Sequence, residues 1–208
     1  MKFESLSPKY NQTFLSKSEL TNRLMPSVGA IELNRILSAY EMAQTVHQFQ
    51  QRNDGTPYFW HPTRVTRILL DELNITDPDT LITALLHDTL EDSDILNHEV
   101  LEFNFGAHVA YLVDVLTKEI RVDDGPLREQ IDRDYVQRLR GAPTIARVIK
   151  LCDRLDNFRC LEFNLKRNPY KYVKETSEHY LPMAEESDDL RMRYLLKELR
   201  RERNRFFG

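Results

Sequence analysis

Ionisable side chains interrupt an otherwise apolar stretch at residues 85–92. The stretch begins with two leucines and then presents His87, Asp88, Glu91 and Asp92. A spacing of four residues places His87 beside Glu91, and Asp88 beside Asp92, on the surface of one helix. Burying this many charges costs on the order of several kcal/mol each unless something neutralises them. A divalent cation would do so, and the stretch therefore predicts a metal site.

Two further stretches supply groups of the same kind. His61 follows an aromatic run and precedes Pro62, while Asp153 follows a mainly apolar run and has Asn157 one turn further along. Each piece alone has an ordinary interpretation, since His61 could be a core histidine and Asp153 could pair with Arg154 on the surface. A single His-Asp dipeptide is also usually a surface pair or a helix cap. The three together, in this order on apolar segments, favour a metal centre.

The elements that must position these residues are helices. Pro62 suits the first turn of a helix and biases His61 away from helical dihedral angles. Asp77 and Pro78 are typical of an N-cap and a first helical residue. No credible strand or internal repeat is present in the sequence, so we expect an all-α fold. Apolar residues recur at helical spacing over segments 30–51, 62–73, 79–92, 94–104, 106–118, 127–140, 143–166, 170–186 and 188–206.

The two ends of the chain have their own character. Residues 1–28 are polar and predict an N-terminal arm with one short helix near 18–25, and residues 29–208 predict one compact domain. Residues 188–207 are rich in arginine, which could indicate a nucleic-acid or membrane surface. Glu198 and Glu202 are interleaved with those arginines, however, and Met192, Leu195 and Leu199 form an apolar stripe. An amphipathic helix with a solvated face is therefore favoured.

Composition excludes several classes of protein. Of the 208 residues, 41% are hydrophobic and 30% are charged, which is typical of a soluble globular chain. The net charge of -4 gives no general reason to expect a nucleic-acid partner, and no apolar run is long enough for a membrane span. Cys152 and Cys160 lie about 12 Å apart if both are on one helix, too far for a disulfide. We therefore expect a cytoplasmic protein without a secretory signal.

The order and spacing of these residues resemble the H…HD…D pattern of the HD-domain phosphohydrolases, whose fold is a helical bundle. Over about residues 36–184 the chain is similar to the hydrolase domain of the RelA/SpoT alarmone family. The length leaves no room for that family's synthetase domain, so we expect a single-domain small alarmone hydrolase. The matching motifs are Arg52-x-x-Gly55-x-Pro57-Tyr58-x-x-His61-Pro62, His87-Asp88-x-x-Glu91-Asp92, Val113-Asp114-x-x-Thr117-Lys118 and Lys150-Leu151-x-Asp153-Arg154-Leu155-x-Asn157.

The resemblance implies a role for each matching residue. Mn²⁺ would be the metal ion, and the ligand set lacks a thiolate that would select zinc or copper. The ion would lower the pKa of bound water and polarise a phosphoryl oxygen, while Glu91 and Asp92 would be catalytic and would orient and deprotonate that water. Tyr58 could serve packing or base stacking, of which packing is favoured. The metal ligands would be His61, His87, Asp88 and Asp153, and the substrate-binding residues Arg52, Asn157, Lys150, Arg154 and Arg167.

The implied activity is hydrolysis of the 3′-pyrophosphate of ppGpp or pppGpp, alarmones of the stringent response, giving GDP or GTP and pyrophosphate. The chain departs from the family at Asn53, often lysine, at Phe49, often glycine, and at Asp156, often histidine or tyrosine. These departures leave open another small nucleotide substrate, namely ppApp, the 2′-phosphate of NADPH or a nucleoside phosphate. A non-catalytic nucleotide-binding module is a third hypothesis, which the metal-adjacent carboxylates argue against. No oligomeric state follows from the sequence.

Overall fold

A computed structural model describes residues 9–93, 95–118, 125–164 and 168–207. Over these ranges the chain is helical, and extended pairing is limited to an isolated antiparallel bridge between Gln51 and Pro57, which confirms the all-α class. The helices are α1 (Lys17–Leu24), α2 (Ala30–Val46), α3 (Trp60–Asp71), α4 (Pro78–Leu86), α5 (Thr89–Asp92), α6 (His98–Phe105), α7 (Ala107–Leu116), α8 (Gly125–Gly141), α9 (Thr144–Cys160), α10 (Pro169–Glu175), α11 (Leu181–Glu185) and α12 (Leu190–Phe207).

Helix α4 lies at the centre of the core. The Asp77 side chain accepts a hydrogen bond from the backbone N–H of Thr80 at 2.9 Å, and Pro78 is the first helical residue, so the helix begins where the sequence predicts. All residues from 80 to 86 are buried. Helices α2, α3 and α7 pack around α4, and α9 packs against α3 and α12. Helices α3, α4 and α9, which carry or directly precede the predicted ligands, therefore pack against one another in the core.

The junction at His87 corrects the predicted continuous helix over 79–92. Helix α4 ends at Leu86, His87 and Asp88 form a turn, and α5 is one turn long. The ring of His87 donates from Nδ1 to the carbonyl of Ala84 at 2.8 Å, a local contact that competes with the helical pattern. The expected four-residue pairing of His87 with Glu91 therefore does not describe this segment.

Several other predicted boundaries were wrong: α6 begins at His98 and not at 94, and α9 ends at Cys160 and not at 166. His61 was expected before the helix, but α3 begins at Trp60 and includes His61 in its first turn. Pro62 is tolerated there because the first N–H groups of a helix have no partner within it. Helix α2 ends at Val46 instead of continuing to residue 51, and a turn around Gly55, with φ +83°, then reverses the chain. This turn brings Arg52 and Tyr58 to the same side of the molecule.

The described part of the predicted arm, residues 9–28, packs onto the domain. Leu15, Leu20 and Leu24 are fully buried in the same core as α4. Helix α1 begins with a capping box, in which Ser16 and Glu19 satisfy each other's backbone N–H groups. The short predicted helix is therefore present, and the division of the chain at residue 28 stays a prediction.

The C-terminal helix α12 is amphipathic, as predicted. Met192, Leu195 and Leu199 are buried, and the arginines of the outer face pair with carboxylates, as Arg205 does with Glu162 at 3.0 Å. Both cysteines are free and buried, in agreement with their predicted spacing. Among the helices over the described ranges, none is at once long and apolar enough to cross a membrane.

Replacing Leu85 by alanine should destabilise the protein by about 2–5 kcal/mol, because its fully buried side chain would leave a cavity in α4. The free energy of unfolding from urea titration measures the change. Phe103→Ala is the matched control, since Phe103 is 90% exposed and its loss should change stability by less than about 0.5 kcal/mol. Equal losses in both variants would contradict a core centred on α4.

Candidate metal centre and substrate cavity

Three of the predicted ligands meet at one point in the core, and the fourth, Asp153, lies against His61. Nitrogen and oxygen atoms of His61, His87 and Asp88 all lie within 4.8 Å of one another. Nε2 of His61 is 3.7 Å from Oδ2 of Asp88, and Nε2 of His87 is 3.2 Å from Oδ1 of Asp88. Asp153, on α9, places Oδ1 3.1 Å from Nε2 of His61. Helix α3, the junction between α4 and α5, and α9 thus bring all four side chains together.

The His87 ring is oriented to bind a metal through Nε2. Because the Ala84 carbonyl can only accept, Nδ1 of His87 carries the proton in their 2.8 Å hydrogen bond. Nε2 is then left as an acceptor, and it is buried with no hydrogen-bond partner among the residues that the structure describes. An unpaired buried polar atom is costly, and a cation would remove that cost. The residues present therefore fit a divalent metal ion, for which His61, His87 and Asp88 form a possible site.

His61 is oriented by a carboxylate that the sequence analysis did not assign to the site. Nδ1 of His61 is 2.6 Å from Oδ2 of Asp156, and Nε of Arg64 donates to Oδ1 of Asp156 at 2.7 Å. Burial alone would raise the pKa of Asp156, but Arg64 and His61 hold it below its usual range. Asp156 is thus ionised and accepts from Nδ1, which leaves Nε2 of His61 to face the other ligands.

Asp153 is held as a charged group. Burial opposes ionisation, but the Lys150 ammonium and His61 keep the pKa of Asp153 well below its usual range. Nζ of Lys150 is 2.7 Å from Oδ2, and the Asn157 amide donates to Oδ1 at 2.6 Å. The cluster therefore offers two imidazole nitrogens and two carboxylates. Such a set suits borderline to hard divalent ions.

A cavity of about 450 Å³ lies in front of this cluster, within the range of about 300–1,000 Å³ typical of small-molecule sites. His61, Asp88 and Asp153 line it. The two carboxylates among these belong to the ligand cluster, so the remaining charged wall is predominantly cationic. Its other charged residues are Arg52, Lys118, Lys150, Arg154, Lys171, Glu91 and Glu175. Such a wall suits a small anionic ligand even though the whole chain is acidic.

Four of the predicted substrate-binding residues line the cavity. Arg52 donates to the side-chain oxygen of Asn157, and both are accessible from the cavity. Lys150 is paired with Asp153, as described. Arg154 also serves the structure, since it donates to Glu175 at 2.9 Å and its guanidinium lies 3.8 Å from the centre of a tyrosine ring, that of residue 180. The fifth predicted residue, at position 167, lies outside the described residues.

The predicted catalytic pair is divided. Glu91 lines the cavity as a rim residue and accepts a hydrogen bond from the backbone N–H of Lys118. Loss of water around the carboxyl group, and then the charge of Asp88, raise the pKa of Glu91 to about 7. A group with this pKa can exchange a proton near neutral pH. Asp92 is not among the residues that line the cavity, and its Oδ2 lies 3.6 Å from Nδ1 of the buried His47.

Tyr58 contacts the site through its hydroxyl group, a role that sequence reasoning missed. The hydroxyl donates to Oδ2 of Asp88 at 2.7 Å, and the ring packs against His47 at a centroid distance of 4.9 Å.

The role of Asp156 had a signal in the sequence, because this carboxylate lies three residues after Asp153 on a helix that is otherwise apolar at that face. No pattern in the sequence pairs Asp156 with Arg64, which is 92 residues away.

The HD domain family matches residues 39–188 of this chain. The chain belongs to the HD-domain family. The relatives include guanosine-3′,5′-bis(diphosphate) 3′-pyrophosphohydrolase MESH1 of Mus musculus, 41% identical over 133 residues, which are 62% of this chain and 71% of that protein. The resemblance to alarmone hydrolases is therefore confirmed.

Other relatives of this HD domain are much longer. The guanosine-3′,5′-bis(diphosphate) 3′-pyrophosphohydrolase of Aquifex aeolicus is 39% identical over 72% of this chain and 21% of its own length. A GTP pyrophosphokinase of Streptomyces coelicolor is 39% identical over 76% of this chain and 18% of its own length. The chain thus spans about a fifth of such proteins.

The fold also matches a solved structure. A metazoan ortholog of SpoT, which hydrolyzes ppGpp and plays a role in starvation responses, superimposes with a TM-score of 0.70 at 28% sequence identity. The superposition covers 81% of this chain and 95% of that one. The HD-domain helical bundle predicted from the sequence is confirmed.

A divalent ion should stabilise this HD domain through the cluster. At about 100 times the dissociation constant, binding to the folded state contributes about 2.7 kcal/mol, which raises the melting temperature by roughly 5–10 °C for a chain of this size. Thermal unfolding with Mn²⁺ or with a chelator measures the shift. His87→Gln should abolish it, whereas His98→Gln, at a partly exposed histidine paired with Asp114, should retain it. A full shift in the His87 variant would exclude this metal site.

Proposed function

We propose that this HD domain is a Mn²⁺-dependent hydrolase that removes the 3′-pyrophosphate of ppGpp or pppGpp, giving GDP or GTP and pyrophosphate. The observation that carries the proposal is a cluster of two imidazoles and two carboxylates on the wall of a cavity that is otherwise mainly cationic. The names of the Mus musculus and Aquifex aeolicus relatives, and the ppGpp hydrolysis by the metazoan SpoT ortholog, support the same substrate.

His61, His87, Asp88 and Asp153 would hold the ion, with the unpartnered Nε2 of His87 as one of its ligand atoms. When bound, Mn²⁺ lowers the pKa of a coordinated water molecule and polarises a phosphoryl oxygen. The carboxylates of the ligand set are suited to Mn²⁺, and the set has no thiolate that would select a softer ion.

Glu91 is the residue we assign to proton transfer. It lines the cavity near Asp88, and the backbone N–H of Lys118 fixes one of its oxygens. From this position Glu91 would orient the attacking water molecule and accept its proton. Asp92, whose Oδ2 lies 3.6 Å from Nδ1 of His47, would act from outside the cavity.

The cationic wall would bind and orient the phosphate groups. Arg52 is preorganised by its hydrogen bond to Asn157, and a guanidinium group matches phosphate oxygens well. Lys150 bridges the wall and the cluster, since it already pairs with Asp153. A phosphate contact by Arg167 is proposed only from the resemblance to the family.

The cytoplasm is the compartment we propose, on the basis of the two unpaired cysteines.

A second candidate function keeps the chemistry and changes the nucleotide. Asn53 lines the cavity and donates to the side-chain oxygen of Asn164 at 3.1 Å, so a neutral amide stands where related proteins often carry lysine. One cationic contact to phosphate is thus absent from this position. The alternatives are NADPH or a nucleoside phosphate, whose phosphates are arranged differently, and ppApp, which carries the same phosphates as ppGpp on another base.

Glu91→Gln should reduce kcat for pyrophosphate release about 10²–10⁴-fold, because the amide cannot accept a proton from water. The affinity for Mn²⁺ should change little, since Glu91 is not one of the proposed ligands. Steady-state rates with ppGpp at saturating Mn²⁺ measure the effect. Glu99→Gln, at an exposed position of α6, is the matched control and should keep the native rate. Native activity in the Glu91 variant would remove this residue from the mechanism.

A nucleotide panel separates the two candidate functions. The purified protein with Mn²⁺ should release pyrophosphate from ppGpp and pppGpp with a kcat/KM at least about tenfold above its activity on ppApp or NADPH, a difference of about 1.4 kcal/mol in transition-state binding. Chromatography of the products identifies the bond that is cleaved. A preference for NADPH, with release of its 2′-phosphate, would replace the first function by the second.

A further inference from the structure

Asp156 collects hydrogen bonds from two distant segments of the chain. This fully buried carboxylate on α9 accepts from His61 at 2.6 Å and from Arg64 at 2.7 and 3.2 Å, and both donors belong to α3. Its third partner is the hydroxyl of Tyr10, 146 residues away, which donates to Oδ1 at 3.0 Å. The N-terminal segment therefore reaches the hydrogen-bond partner of a proposed metal ligand.

Arg64 is held by the same N-terminal segment. Its guanidinium is buried, and the Nη1 group that faces away from Asp156 donates to the backbone carbonyls of Asn11 at 3.3 Å and Thr13 at 3.0 Å. The ring of Tyr10 lies against it, with the guanidinium carbon 5.7 Å from the ring centre. The carbonyl oxygens of Asn11 and Thr13 thus accept hydrogen bonds from the Nη1 group of Arg64, which does not contact Asp156.

The geometry points to Tyr10 as a positioning residue of the metal centre: it fixes Asp156, and Asp156 fixes the tautomer and the direction of the His61 ring. The inference rests on the metal site proposed above. Without the Tyr10 hydroxyl, Oδ1 of Asp156 keeps only Nε of Arg64 as a donor among the described residues, so that Arg64 and His61 alone would orient the carboxylate. Mutation of a residue that bonds to a metal-ligating histidine commonly lowers metal affinity by about 10–100-fold. Tyr10 is one contact further from the metal than such a residue.

A purely structural role for this segment makes a different prediction. Leu15, Leu20 and Leu24 follow Tyr10 in the chain and bury their side chains in the core. If Tyr10 served only to dock the segment, its loss would lower stability and leave His61 unchanged. Leu20→Ala supplies the comparison, because it weakens the same docking without touching Asp156, Arg64 or His61.

Tyr10→Phe tests the inference with two measurements besides activity. The first is the proton NMR signal of Nδ1–H of His61 in the metal-free protein, assigned by its loss in His61→Gln. The second is the dissociation constant for Mn²⁺ from the electron paramagnetic resonance of the free ion. We expect the signal to shift and Mn²⁺ binding to weaken about threefold to tenfold. Leu20→Ala should lower the melting temperature at least as much with both readouts unchanged.

Asp156→Asn tests the next contact in the same series and should weaken Mn²⁺ binding about 10–100-fold. Unchanged Mn²⁺ affinity and an unchanged His61 signal in Tyr10→Phe would overturn the inference, as would equal changes in Leu20→Ala. The NMR signal does not depend on catalysis. If the native protein hydrolyses no ppGpp while Tyr10→Phe still shifts the His61 signal and weakens Mn²⁺ binding, the proposed function is refuted and the role of Tyr10 stands.

Discussion

The structure depends on keeping ionised side chains inside a helical core. Asp153 and Asp156 lie on α9 among buried apolar residues, and each is surrounded by cationic or amide donors. Removing one partner of such a pair commonly costs about 3–5 kcal/mol, because the other charge stays buried and unpaired. Lys150, Arg64 and His61 are thus required by the fold as much as by any chemistry, and the packing of α3 against α9 fixes their positions.

The break between α4 and α5 is the local consequence of this requirement. In a continuous helix over residues 79–92, the backbone groups would bond to one another, and the helical rotation would set the direction of the Asp88 side chain. The turn at His87 instead lets its ring bond back to the carbonyl of Ala84, so that Nε2 faces Asp88. The short α5 then places Glu91 at the rim of the cavity. One interruption of a helix therefore sets both the ligand geometry and the position of the carboxylate assigned to proton transfer.

Sequence patterns could predict what depends on local spacing. The all-α class and the N-cap at Asp77 followed from periodicity and capping residues, which involve neighbouring positions. The family followed from motifs that are each short, taken in their order along the chain. The sequence could not predict contacts made by the fold alone, such as Tyr10 with Asp156 or Tyr58 with Asp88. The sequence interpretation of Asp156 rested on the residues that related proteins carry at that position. Its role depends on the buried Arg64, which no local pattern connects to it.

The cationic wall explains how an acidic chain can suit a polyphosphate. Net charge describes the field far from the protein, where salt screens it within about 8–10 Å, but a ligand in the cavity interacts with the nearest groups. Two of the nearby carboxylates face the proposed metal ion, and a bound cation would cancel their repulsion of phosphate. The same ion that completes the ligand cluster would thus make the cavity more positive, since five cationic and four carboxylate side chains line it. Metal binding and nucleotide binding should therefore be coupled, with each strengthening the other by the same factor.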